Sequence, residues 1–171
     1  QFQHSTGIVV YENNVYVVDE KLDIVQKFDN DGNFILKWGG GGNENGEFNE
    51  PQGITIDSNG IVYVADSMNH RIQQFTTDGE FLSSFGKYGF NDGKLKIPVD
   101  VAVYENNVYV VDGERDIVQK FDSDGNFILK WGGLGNENGE FDKPQGITID
   151  SSGTVYVADS KNHRIQQFTS D

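Results

Sequence analysis

The 171-residue sequence predicts an all-β fold of four consecutive sheets, each with four short antiparallel strands. The first observation behind this prediction is internal repetition, since residues 11–40 recur as residues 104–133 with differences only at positions 20, 21, 22 and 30. The second is a shorter motif, Val-Tyr-Val-(Val/Ala)-Asp, which ends at Asp19, Asp66, Asp112 and Asp159. The chain therefore consists of four units in the order A-B-A-B.

The second unit shows its four strands most clearly. Apolar, β-branched and aromatic residues cluster at 53–56, 62–65, 71–75 and 81–85. Turns that end at Gly60 and Gly79 separate the first two and the last two strands, because Asn, Asp and Gly tolerate the positive φ of tight hairpins. Residues 66–70 form the loop between the second and third strands. No apolar period of 3.6 residues persists, so we predict no helix.

Four antiparallel strands in repeated units of about 40 to 50 residues are typical of β-propeller blades. Residues 8–10 and 15–18 are apolar on both faces, as expected for a sheet packed between two other sheets. We predict one domain, residues 1–171, with blades at approximately 1–46, 47–93, 94–139 and 140–171. The last blade has no counterpart of residues 81–85, so it should lack its outer strand.

Composition excludes several classes of function. Without cysteine, the chain can form no disulfide, zinc–thiolate site or cysteine nucleophile. A net charge of −14 repels phosphate and anionic lipid, so we expect no nucleic-acid and no membrane partner. No apolar run approaches the roughly 18 residues that span a bilayer. The compartment stays unspecified, although an acidic repeat without thiols favours an exported protein.

Units two and four carry a specific signature. Asn69-His70-Arg71-Ile72 recurs as Asn162-His163-Arg164-Ile165, and Pro-Gln-Gly-Ile starts at Pro51 and at Pro144. In these motifs the chain resembles the NHL-repeat family of β-propellers. The resemblance implies a closed ring with more blades than the four found here, and a role in binding proteins or peptides. The family that it resembles also includes lyases that use histidine and a metal.

Units one and three depart from this signature. The positions of Asn69, His70 and Arg71 are held by Leu22, Asp23 and Ile24, and by Arg115, Asp116 and Ile117. Asp100 also stands where unit two has Gly53. We therefore expect no binding site that is equivalent in all four blades.

Four blades that lack one strand would leave two blade faces and one strand edge open. Hiding two apolar faces of several hundred Å² each is worth on the order of ten kcal/mol before entropy is counted. We therefore expect homo-oligomerisation, most simply a dimer that completes an eight-bladed ring, or a place within a longer propeller.

Propeller topology brings the loops between second and third strands to the same face as the connections between blades. This face holds the candidate interaction residues, which are Asp66, Asn69, His70, Arg71, Asp159, Asn162, His163 and Arg164. A structural role is the alternative: the arginines would pair with Asp66 and Asp159, and the histidines would hydrogen-bond within their loops.

Other patterns are better explained by structure than by chemistry. Residues 29–33 and 122–126 lack the bidentate glutamate of a calcium loop and indicate hairpin turns. Glu44 and Glu47 lie in a Gly- and Asn-rich connection, where we expect a solubilising role.

Trp38 and Trp131 end fourth strands and should pack between blades. The two repeated histidines and His4 are too few for a convincing zinc site. We therefore assign no catalytic, cofactor-binding or metal-binding residue, and expect no cofactor.

Three functions remain open. The first is a non-enzymatic scaffold for protein or peptide interaction that self-assembles through blade faces. The second is a fragment or engineered repeat protein without a specific ligand. The third is a metal-dependent lyase or hydrolase, which is disfavoured because alternate blades are nearly identical, whereas an active site requires one or two specialised blades.

Overall fold

The computed structural model describes residues 1–170 and shows a four-bladed β-propeller. Fifteen strands form four antiparallel sheets, which follow one another along the chain around a central cavity. Blades 1 to 3 have four strands each and blade 4 has three. The all-β fold and the shortened last blade are thus confirmed.

Strands pair in chain order within each blade, and the first strand of each blade lines the cavity. Blade 1 contains β1 (Ser5–Tyr11), β2 (Asn14–Asp19), β3 (Ile24–Asp29) and β4 (Phe34–Gly39). Blade 2 contains β5 (Pro51–Ile56), β6 (Val62–Asp66), β7 (Arg71–Phe75) and β8 (Phe81–Phe85). Blade 3 contains β9 (Pro98–Tyr104), β10 (Asn107–Asp112), β11 (Ile117–Asp122) and β12 (Phe127–Gly132). Blade 4 contains β13 (Pro144–Ile149), β14 (Thr154–Asp159) and β15 (Arg164–Thr169).

Aspartate side chains build the turns that begin at Asp29, Asp57, Asp122 and Asp150. Asp29 accepts hydrogen bonds from the N–H groups of Asp31 and Asn33 at 3.0 and 2.8 Å, which confirms the predicted hairpin turn. The prediction of no helix is corrected only by two single turns of 3-10 helix, Ser67–Asn69 and Ser160–Asn162. Such turns are common as short connectors and leave no apolar period in the sequence. None of the helical segments in residues 1–170 has the length and apolarity needed to cross a bilayer.

Three apolar clusters join successive blades, one for each of the blade pairs 1–2, 2–3 and 3–4. Each cluster contains a fully buried side chain from the connection between the blades, namely Phe48, Leu95 or Phe141. Trp38 and Trp131 pack against two of these clusters, as predicted.

Blade 1 presents an uncovered apolar face. Ile8 of β1 is 68 % exposed. Its counterparts at the same register in the other first strands, Ile54, Val101 and Ile147, are at most 8 % exposed. Each counterpart is covered by the preceding blade. The residues 8–10, which we expected to be covered on both faces, are therefore covered on one. We call this surface, with Ile8, Val10 and Phe28, the blade-1 face.

Blade 4 presents the opposite kind of uncovered face. Ile165 of β15 is 64 % exposed, whereas its counterpart Ile72 in β7 is fully buried under blade 3. Tyr156 and Ala158 lie on the same side of the sheet and are half-buried. We call this surface, with Tyr156, Ala158 and Ile165, the blade-4 face.

Candidate functional site

The loop face of blade 2 is organised by Asp66, which ends β6 and is fully buried. Arg71 Nε donates to Asp66 Oδ2 at 2.7 Å, and the amides of Asn69 and Gln73 donate to the same oxygen at 3.0 Å. The backbone N–H of Asn49 donates to Oδ1 at 2.8 Å. Five hydrogen-bonding groups thus meet inside the loop.

The same side chains hold the connection that arrives from blade 1. Asn69 Nδ2 donates to the carbonyl of Gly42 at 2.8 Å. Arg71 Nη2 donates to the carbonyls of Glu44 and Glu47 at 2.8 and 2.9 Å. Their donor groups are therefore used to fix the backbone.

Blade 4 repeats this arrangement. Arg164 Nε donates to Asp159 Oδ2 at 2.8 Å, and Asn162 donates to the same carboxylate. Arg164 also donates to the carbonyl of Glu137 at 2.7 Å, and Asn162 to that of Gly135 at 2.8 Å. The predicted ion pairs of both arginines are confirmed.

The two signature histidines differ in their surroundings. His70 Nδ1 is hydrogen-bonded to the carbonyl of Lys96, and its ring lies against Tyr88 with 4.9 Å between centroids. Lys96 belongs to the connection into blade 3, so His70 helps to hold that blade. His163 occupies the same position in blade 4 and is exposed. Of the eight candidate residues, His163 is therefore the one with an uncommitted ring among the side chains described.

The pKa values of the two loop aspartates shift in opposite directions, although neither side chain is exposed to solvent. Burial is the largest influence on Asp66 and raises its pKa, although the Asn49 N–H and Arg71 oppose this shift. Burial also favours the protonated form of Asp159, but the hydrogen bonds from Asp142 N–H, Asn162 and Arg164 outweigh it and lower its pKa. Because the bonding sets match, we attribute the difference to blade 3, which covers blade 2 but has no counterpart over blade 4.

A cavity of about 880 Å³ lies between the first strands, and Asp100 of β9 is in its wall. Asp100 Oδ2 accepts from the N–H of Ile147 at 2.8 Å, and Oδ1 accepts from its neighbour Val101 at 2.9 Å. Burial raises the pKa of Asp100 to about 6. A Cβ at Gly53 would lie 2.3 Å from Asp100 Oδ1, so glycine is needed there. Sequence reasoning noted this position but missed that the carboxylate ties blade 3 to blade 4.

The carboxylate of Glu47 has a structural partner in the connection between blades 1 and 2. Glu47 Oε2 accepts from the backbone N–H of Glu44 at 3.1 Å, so this carboxylate closes its own connection as well as contacting solvent. Across residues 1–170, no three His, Asp or Glu side chains are placed to hold a metal ion.

A buried glutamine marks the blade-1 face. Gln26 of β3 is 6 % exposed, and its Nε2 has no hydrogen-bond partner in the described residues. The counterparts in the other blades donate to carbonyls of the preceding connection, as follows: Gln73 to Glu47 at 2.7 Å, Gln119 to Lys94 at 2.7 Å and Gln166 to Glu140 at 2.6 Å. The recurrence of Gln at the third position of each third strand could have drawn attention to this residue.

Residues 2–4 already occupy the place of a connection at the blade-1 face. The N–H of Gln3 donates to Asp19 Oδ2 at 2.7 Å, and the N–H of His4 donates to Asp19 Oδ1 at 3.1 Å. In blade 3, the N–H groups of Lys96 and Ile97 donate to Asp112 in the same way, at 2.7 and 3.0 Å. The segment that precedes β1 is thus fixed to blade 1 by the same pair of hydrogen bonds that fixes the segment before β9 to blade 3.

Comparison with known proteins supports the repeat and the fold. The NHL repeat model matches residues 48–75 and 141–168, which include β5 to β7, β13, β14 and all but the last residue of β15. No curated protein sequence is significantly similar to the chain.

Among solved structures, a Bacteroides thetaiotaomicron protein of unknown function is similar with a TM-score of 0.75 and 19 % identity, over 96 % of this chain and 47 % of that one. A streptogramin B lyase is similar with a TM-score of 0.68 and 15 % identity, over 96 % and 54 %.

The computationally designed Ika4 protein is similar with a TM-score of 0.65 and 10 % identity, over 99 % of this chain and 93 % of that one. The chain thus spans about half the length of the two natural proteins and nearly all of the designed one. Identities this low establish the shared fold alone. The chain is a four-bladed β-propeller, and its blades 2 and 4 contain NHL repeats.

Proposed function

We propose that the chain is a non-enzymatic interaction scaffold that binds protein or peptide segments, and that its first partner is a second copy of itself. The observation that carries the proposal is the pair of uncovered blade faces. Ile8 and Ile165 are 68 and 64 % exposed at positions that are buried in the other blades. Covering one such side chain stabilises a complex by about 1.5 to 3 kcal/mol.

The chain contains a template for the contact between copies. Blades 2 and 4 are near-copies of each other, and so are blades 1 and 3. The junction between blades 2 and 3 is therefore the closest internal counterpart of a contact between blade 4 of one copy and blade 1 of another, although their first strands differ, with Gly7 in β1 where β9 has Asp100. We infer a head-to-tail contact, in which the blade-4 face of one copy covers the blade-1 face of the next.

Two hydrogen bonds of the template define the register. His70 bonds to the carbonyl of Lys96, and Ser67 Oγ donates to the carbonyl of Pro98 at 2.6 Å. In blade 4, His163 corresponds to His70 and Ser160 corresponds to Ser67. In blade 1 of the second copy, Gln3 corresponds to Lys96 and Ser5 corresponds to Pro98.

Two head-to-tail contacts between two copies would close a ring of eight blades. Because each copy carries a net charge of −14, repulsion opposes this association and salt should strengthen it.

Sedimentation equilibrium of the whole chain tests the proposal. We expect a particle of twice the 19.1 kDa chain mass, and a tighter association at higher salt. Ile8→Asp should give monomers, because it places a charge in the blade-1 face. Thr77→Asp, on a turn away from both faces, is the matched control and should remain dimeric. A stable monomer at all concentrations and salt levels would rule the association out.

The comparisons bear on the fold that such a scaffold would use. The similarity to the computationally designed Ika4 protein covers 93 % of that chain, so an engineered repeat protein without a specific ligand is the second candidate. The similarity to the lyase extends to 54 % of that chain and to the fold only. A purified sample without stoichiometric transition metal and without lyase activity would agree with the scaffold.

A further inference from the structure

We propose that the open edge of β15 binds an extended peptide, which pairs with β15 as a fourth strand and places an aromatic side chain against Phe168. The proposal rests on the scaffold role and names a second ligand for it. It uses the outer edge of blade 4, which lies away from the blade-1 face and adjoins the blade-4 face at Ile165.

The other three blades show how a fourth strand pairs with the edge that is open in β15. β3, β7 and β11 each pair with a fourth strand, whereas β15 pairs only with β14 in residues 1–170. In blade 2 the register places Phe75 opposite Phe81 and Ile72 opposite Phe85. The counterparts of Phe75 and Ile72 on β15 are Phe168 and Ile165. An added antiparallel strand on β15 would meet these two residues.

A repeated aromatic pair identifies the side chain that the edge lacks. The last aromatic of each third strand meets the first aromatic of the fourth strand edge-on, as follows: Phe28 and Phe34 at 5.9 Å and 75°, Phe75 and Phe81 at 6.0 Å and 79°, and Phe121 and Phe127 at 6.2 Å and 82°. Phe168 is the fourth member of this series. It packs against Trp131 and Phe141 at 5.7 Å, but no fourth-strand aromatic meets it among the described residues.

An open cavity lies where this aromatic would sit. It measures about 260 Å³ and is lined by Leu129, Trp131, Gly139, Phe168, Thr169 and Ser170. In blade 2, Phe81 packs against the cluster that includes Trp38 and Phe75, the counterparts of Trp131 and Phe168. The cavity is therefore the empty half of a junction that is filled elsewhere in the same molecule.

The pattern of the ligand follows from the three fourth strands. Each begins with Phe and has Trp or Phe four residues later, in the segments 34–38, 81–85 and 127–131. In blade 2, Ser83 Oγ also donates to Gln74 Oε1 at 2.6 Å, and Gln167 offers the same amide on β15. We infer a peptide of the form Phe-x-x-x-aromatic with a small hydroxyl residue at its centre. Backbone pairing would supply affinity, and the cavity would supply specificity.

A synthetic peptide with the sequence of residues 79–86, Gly-Glu-Phe-Leu-Ser-Ser-Phe-Gly, provides the test. It is titrated into the whole chain, with calorimetry for affinity and amide NMR for location. We expect saturable binding with shifts centred on β15. Replacing the first Phe of the peptide by Ala should weaken binding at least about tenfold, because the buried ring is lost. Replacing the two Ser residues by Pro, one at a time, should weaken binding in one of the two peptides, because one of two neighbouring N–H groups in a strand points to the paired strand.

A scrambled peptide of the same composition is the control. Equal binding of the native-pattern, Ala and scrambled peptides would overturn the proposal, as would shifts centred on Ile8 in place of Phe168. Sedimentation of the same samples separates the two proposals. A dimer that binds no peptide overturns the edge site alone, and a monomer that binds the peptide overturns the self-association alone.

Discussion

Phe2 packs against Phe28 with 5.7 Å between ring centroids, close to the 5.5 Å between Phe48 and Phe75. Both pairs join a residue that precedes a first strand to the end of a third strand. Phe48 is fully buried between two blades, whereas Phe2 is 41 % exposed because no blade covers it. The blade-1 face therefore carries one half of a blade junction.

Phe2→Ala tests whether this half-junction is completed by a second copy. We expect the variant to lower the thermal midpoint of the monomer only slightly, since the ring is partly solvated. It should weaken association at least about tenfold if the ring becomes buried there. Sedimentation at several concentrations measures this. If Phe2→Ala lowered the free energy of unfolding as much as the free energy of association, an interfacial role for Phe2 would be contradicted.

Asp66→Ala and Asp159→Ala form a matched pair. Removing Asp66 leaves Arg71 without its buried partner, and we expect a loss of about 3 to 5 kcal/mol in unfolding free energy. Asp159→Ala should cost less in dilute solution, because the side chain of Arg164 is 26 % exposed against 13 % for that of Arg71.

Thermal denaturation at low and high protein concentration compares the two variants. As blade 4 becomes covered, the difference between them should shrink. A difference that is independent of concentration would show that nothing covers blade 4.

Asp100 should give the folded chain a specific pH dependence. Its pKa is raised to about 6 by burial, whereas an unfolded aspartate titrates near 3.8. Between these values the folded chain binds more protons than the unfolded chain, so this group makes stability decrease as pH rises from about 4 to 6. A carboxyl-carbon NMR titration should place the midpoint near pH 6.

Asp100→Asn is the variant for this pH dependence. Asparagine can accept only one of the two backbone hydrogen bonds, so we expect lower stability overall. The decrease between pH 4 and 6 should nevertheless be absent. A wild-type slope that persists in the variant would assign the effect to another group.

Gly39 closes β4 against Phe48 and tolerates no side chain. Its φ is 100°, and a Cβ would lie 2.6 Å from the Phe48 ring and 2.8 Å from the carbonyl of Asp23. We expect Gly39→Ala to cost about 3 kcal/mol in urea unfolding, from backbone strain and the clash together. Gly32→Ala has a similar positive φ of 82° but open space around it, so it should cost about 1 kcal/mol. Equal losses would remove the steric part of this argument.

The sequence was sufficient for the strands, the turns and the ion pairs of Arg71 and Arg164. Strands and turns follow from local patterns of β-branched residues and Asx-Gly pairs. The ion pairs follow because each arginine lies five residues after an aspartate across one loop. Most of the candidate loop residues use their polar groups to hold the connections, and the ring of His163 is the exception among the described side chains.

Three features could not be predicted from the sequence. They are the uncovered blade faces, the unpaired amide of Gln26 and the hydrogen bond from Ile147 to Asp100 that links blades 3 and 4. Ile8 and Ile54 look alike in sequence, and only the presence or absence of a preceding blade separates them. Gln26 likewise differs from Gln73 through the segment that lies beside it. Such differences depend on packing between distant parts of the chain, which no local pattern records.

In the proposed dimer, blade 4 of one copy covers blade 1 of another in the register of the junction between blades 2 and 3. Since the chain has no cysteine, the double variant Gln3→Cys with His163→Cys can be joined by a short bis-maleimide at these two sites alone. We predict covalent dimers linked between position 3 of one copy and position 163 of the other, as identified by peptide mass spectrometry, and no such product from Asp31→Cys with His163→Cys. Monomers only, or links that do not depend on position, would contradict the account.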